Sequence, residues 1–101
     1  MSLKGDLQRV SAWEAELNKE RAGALGITAK KLEDLLERCQ TLKGEIENAT
    51  SSAMRELLLR DYREAREASE RQRWNLCVQR EAMGLRQHHD VERYWPTAPK
   101  L

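Results

Sequence analysis

The sequence predicts an all-α fold: an antiparallel three-helix bundle or a helical hairpin, with a coiled-coil-like seam, a long third helix and an extended Pro-containing tail. Three observations carry this. Composition is helical, with no Phe, five Gly and two Pro in 101 residues, 35% of them charged, and an apolar set made mainly of Leu and Ala. Apolar residues recur at steps of three and four, the spacing that lines one face of a helix. Both prolines fall at the extreme C-terminal end, so they interrupt nothing before it.

Residues 1–101 are expected to form one helical domain. A domain this small hides a limited fraction of its apolar surface, and partner chains often complete such cores.

The first helix is predicted over about 3–22, where Leu3, Leu7, Val10, Trp13 and Leu17 make one stripe and Ser2 or Asp6 supplies a cap. Gly23 and Gly26 in "RAGALGIT" then offer a stop. A restart is expected at Thr28 as N-cap, with Ile27 and Leu32 in the two places of a hydrophobic staple. The second helix, about 29–49, carries the heptad Leu32, Leu35, Cys39, Leu42, Ile46, Ala49, continuing to Ala53. Cys39 reads as a small core residue there.

Beyond Ala53 the same heptad would put Glu56, Arg60, Arg63, Glu67 and Glu70 in the seam, which cannot be a buried stripe. Apolar residues resume in another phase at Leu58, Tyr62, Ala65, Leu76 and Met83. A phase shift across "NATSSA", a cluster of poor helix formers, argues for a turn at 48–53, with Ser51 or Ser52 capping a third helix. The rival is one helix running straight through.

The third helix is predicted over about 53–90, a length on the order of 55 Å. In an up-down-up arrangement its far end projects past its neighbours and bares Trp74, Leu76, Val78, Met83 and Leu85, which points to an interface. Its middle, "RDYREAREASERQR", with Glu56 just before it, sets Glu56, Arg60 and Glu64 four apart, and likewise Arg63 with Glu67 and Arg66 with Glu70, the ladder of a solvated helix face. Pro96 forces the end of the helix near 90–94 and leaves 91–101 as an extended tail. Val91, Tyr94 and Trp95 are expected to fold back over the bundle end or onto a partner.

Several function classes are disfavoured. Net charge is +1, with 18 basic and 17 acidic residues interspersed, so no field favours nucleic acid or an anionic membrane. No apolar run approaches the ~20 residues of a membrane span. Cys39 and Cys77 form no ligand motif and suit a reducing cytoplasmic setting. No cofactor is expected. His88 stands four from Glu92, giving at most a two-ligand face, while His89 points away from it, so neither a metal site nor an enzyme is expected.

Pro96-Thr97-Ala98-Pro99 has the P-x-x-P spacing that aromatic grooves recognise. It resembles the late-domain motif P-T-A-P, which in viral and endosomal proteins binds a ubiquitin-variant domain of the sorting machinery; the identity covers these four residues alone.

The leading expectation is a non-enzymatic helical interaction module, partnered by protein and forming a homodimer through helix 3 and the tail. Its interface candidates are Trp74, Leu76, Val78, Met83, Leu85, Tyr94, Trp95, Pro96 and Pro99. The alternatives are an adaptor or small chaperone, binding a partner helix through 74–85 or a partner domain through the tail, and a metal protein or enzyme using His88 and His89.

Overall fold

The computed structural model describes the backbone from Leu3 to Leu101, and the side chains of Ala15, Lys19 and every residue from Ala22 onward. The expected stripe Leu3, Leu7, Val10, Trp13 and Leu17, with its caps Ser2 and Asp6, lies outside the described side chains.

The architecture is a long antiparallel hairpin with a returning tail. Helix α1 spans Leu3–Glu47, α2 spans Ser52–Ala82 and a short α3 spans His89–Tyr94. The principal extents are 77 × 19 × 15 Å. With 45 residues, α1 is about 67 Å long, whereas the 31 residues of α2 cover about 46 Å. The turn joins them at one end, so α1 runs on past the other end of α2 by about 20 Å.

The break expected at 23–28 does not exist: the two helices predicted there are one. Extending the heptad backwards explains why. Leu25 and Thr28 keep the same three-and-four spacing as Leu32, Leu35, Cys39, Leu42 and Ile46. Thr28 is buried, and Leu25 packs against the cluster of Leu32, Leu76 and Val91. A helical glycine costs about 1 kcal/mol relative to alanine. Keeping two further seam positions against the core outweighs that. Thr28 is no cap, since its hydroxyl donates to the Ala24 carbonyl at 3.2 Å inside the helix. Ile27 makes no staple and stands 62% exposed.

The turn at the other end forms where the phase shift places it. Ser51 is extended at φ −112°, ψ 145°, and its Oγ accepts from the Met54 amide at 3.1 Å, an N-cap for α2. The new phase buries Tyr62, Ala65, Ser69 and Leu76 on one face of α2. Buried Ser69 is satisfied locally, its hydroxyl donating to the Arg66 carbonyl at 2.7 Å.

Helix α2 does not reach residue 90. It stops at Ala82 because Gly84 adopts φ +87°. The Leu85 amide then donates to the Arg80 carbonyl at 2.9 Å, and the Gly84 amide to Glu81 at 2.9 Å, the paired bonds of a Schellman stop. The chain reverses instead of projecting, so the long third helix becomes a shorter helix plus a returning segment.

Two clusters make the core. One joins Cys39, Leu42, Tyr62, Ala65 and Ala98, while the other joins Leu32, Leu76 and Val91. Leu36 packs against both. Each cluster contains a residue from the returning segment, so α3 and the tail fill the third position that a third helix would hold.

Candidate functional site

The sequence groups nine residues as one contact surface, and the structure separates them into four sets. Leu76 is 2% exposed and packs with Leu32 and Val91 inside the protein; it is not open to a partner. Two residues further on, Val78 is 42% exposed, and Trp74 is 67% exposed. Two residues turn a helix by about 200°, so Trp74 and Val78, one turn apart, share the face of α2 directed away from the core. Glu67, Arg71 and Glu81 are exposed on that same outer side.

Met83 and Leu85 belong to the Schellman turn, half-buried and exposed respectively. In the returning segment Tyr94 is exposed and Trp95 half-buried, their rings meeting edge to face at a centroid distance of 6.1 Å. Pro96 and Pro99 are exposed, but Ala98 between them is 7% exposed and sits in the core beside Cys39 and Tyr62.

The tail is held by its main chain. The Tyr62 hydroxyl donates to the Pro99 carbonyl, and Arg66 Nε donates to the Ala98 carbonyl at 2.9 Å. Arg80 Nη2 reaches the Gln87 carbonyl at 3.2 Å. Arg66 and Arg80 stand four helical turns apart on the side of α2 that faces the returning chain. Arg66 is therefore not paired with Glu70 as its spacing suggests. Glu70 instead approaches Arg73 at 3.6 Å, an ion pair too long to be a hydrogen bond. Sequence reasoning missed Tyr62 and Arg66 as tail anchors. Their partners are main-chain carbonyls 37 and 32 residues away, and no local pattern encodes those.

Burial leaves its electrostatic signature on this core. Desolvation pushes the Cys39 thiol above its ordinary pKa, against the pull of Arg66 and Arg38. Desolvation also raises the Tyr62 phenol, Cys39 adds to the rise, and Arg66 opposes it. Both groups favour their neutral forms, and the neutral phenol is the one that can donate to Pro99.

The histidines go elsewhere than the spacing suggests. His88 precedes α3 and pairs with Glu81 on α2, Nε2 to Oε1 at 2.9 Å, rather than facing Glu92. His89 approaches only the neighbouring Asp90, at 3.7 Å. Among the described residues no group of three His, Cys, Asp or Glu side chains is placed to hold a metal ion. Cys39 and Cys77 are both free thiols. No helix among the described residues is long and apolar enough to cross a membrane.

No protein-family model matches the chain, and neither a curated protein nor a solved structure matches it.

Proposed function

We propose that the chain is a non-enzymatic helical assembly module that pairs with a second copy of itself through the outer face of α2. One observation carries the reading: Trp74 and Val78 stand exposed, one turn apart, on the side of α2 away from the core. Tryptophan concentrates binding energy when a partner desolvates it, and a near-neutral chain sets up little repulsion between copies. The outer face carries both signs of charge, in Glu67, Arg71 and Glu81, which suits a self-complementary two-fold contact. The tail's main chain is anchored to Tyr62 and Arg66 within the protomer, so the pairing is assigned first to α2. Two free thiols support placing the protein in a reducing, cytoplasmic compartment.

Sedimentation equilibrium tests the pairing. The expected result is a dimer at micromolar concentration that Trp74→Ala converts to monomer, with helix content and unfolding of the protomer unchanged. A wild-type chain that stays monomeric through high micromolar concentration overturns self-association and favours an adaptor that offers the same face to another protein's helix.

A further inference from the structure

The tail roofs a cleft as well as the core. Between α1 and residues 94–99 lies a cavity of about 360 Å³, within the range of small-molecule sites, about 300–1,000 Å³. Leu36 and Cys39 lie along it on the α1 side, and Trp95 and Pro96 line it from the tail. The lining is therefore mostly apolar, with Tyr62, Tyr94 and Trp95 as its aromatic members.

Its rim carries two carboxylates, Glu33 and Glu37, against one ammonium, Lys43. Glu33 and Glu37 stand one turn apart on α1, and among the described residues neither is in an ion pair. Lys30, one turn before Glu33, is committed to Asp34 at 2.9 Å, and neither Lys31 nor Arg38 forms an ion pair with Glu33 or Glu37. Lys43, the other charged residue lining the cleft, lies six residues beyond Glu37. A cation entering beside Glu33 and Glu37 also meets the Tyr94–Trp95 aromatic pair, whose ring faces attract positive charge.

The main chain narrows the class of ligand. The Ala98 and Pro99 carbonyls are already taken by Arg66 and Tyr62, and α1 satisfies its own backbone. Pro96 and Pro99 have no amide to donate and these two carbonyls are taken, so an extended peptide meets an interrupted edge, whereas a compact molecule recognised by side chains suits the slot.

We propose that this cleft binds a small organic cation with an apolar body, an arylalkyl or alkyl ammonium. Its charge sits between Glu33, Glu37 and the Trp95 ring, and its hydrocarbon lies against Leu36 and Cys39. Because the tail forms one wall, the bound ligand holds the tail closed.

The test titrates phenethylammonium into the full chain, following thermal unfolding and amide exchange in residues 94–101, beside two isosteres: neutral 2-phenylethanol and anionic 3-phenylpropionate. The ammonium is expected to raise the unfolding temperature and slow exchange in the tail, and both isosteres to bind about tenfold more weakly or worse. Glu33→Gln with Glu37→Gln, exposed positions whose replacement leaves the unliganded fold intact, is expected to remove that preference. Run in the Trp74→Ala chain, the titration separates this site from the pairing face. Absence of ammonium binding at millimolar concentration, equal binding of the anion, or an unchanged preference in the double variant overturns the proposal.

Discussion

The Tyr62 hydroxyl, on the second helix, donates to the carbonyl of Pro99 at the far end of the chain. That bond closes a loop of 37 residues and, together with Arg66 on the Ala98 carbonyl, fixes where the tail lies. Removing the donor with Tyr62→Phe keeps the ring in the core and abolishes the bond. A neutral hydrogen bond contributes about 0.5–1.5 kcal/mol net, so the variant is expected to lose about that much in urea unfolding. Amide exchange should quicken in residues 95–101 and remain slow at the Leu32–Leu76 contact.

Alkaline pH should act on the same anchor. Burial raises Tyr62 and Cys39 above their ordinary values. The unfolded chain therefore releases these protons at lower pH than the folded one does. Their contribution is intact below about pH 8.5, where the unfolded thiol begins to ionise, and falls as pH rises through about 10 and beyond. Thermal unfolding followed from pH 7 to pH 11 should show a declining midpoint above about pH 9. Part of that decline should vanish in Tyr62→Phe, and a flat profile would contradict the burial argument.

The glycines give a paired prediction. Gly84 holds φ +87°, where an L side chain is strained, so Gly84→Ala should cost about 1 kcal/mol or more although nothing obstructs a Cβ. Gly23 and Gly26 lie inside α1, and a Cβ there meets nothing within 4 Å. Each Gly→Ala change at those sites should stabilise the protein by up to about 1 kcal/mol. Were residues 23–28 a helix stop, Gly26→Ala would destabilise instead, so denaturant midpoints of the three variants discriminate between a continuous α1 and a broken one.

Leu76 and Val78, two residues apart, should respond oppositely to truncation. Leu76→Ala empties a position packed between Leu32 and Val91 and should cost about 2–5 kcal/mol in protomer stability. Val78→Ala removes exposed surface and should stay within about 0.5 kcal/mol. Its effect is expected in the sedimentation of the pair, where the association constant falls.

Several of these features were legible in the sequence. The turn before α2 announced itself twice, through the change of apolar phase after Ala53 and through Ser51, whose hydroxyl had an amide to accept from. The seam from Leu32 to Ile46 was equally plain. The supposed break was a misjudgement of scale: Gly23 and Gly26 are local signals, while the Leu25–Thr28–Leu32 spacing that carries α1 through them is a property of the whole face. Gly84 is the opposite case: a single glycine among helix formers reads as a continuing helix, yet its positive φ ends α2. The tail's anchors were not readable at all. Arg66 seemed to be one rung of a charge ladder, and only the folded chain brings Ala98 to its guanidinium.

The unequal helices also imply an order of assembly. Contacts beside the Ser51 turn close short loops, and the tail bonds to Tyr62 and Arg66 close loops of 37 and 32 residues, but Ala98 finds its buried place only where Cys39 of α1 lies beside Tyr62 of α2. Closing short loops first costs less chain entropy, so the hairpin zips from its hinge, and the tail docks after Cys39 and Tyr62 have met. The same sequence run backwards makes the tail the first part to detach, well before the helices separate.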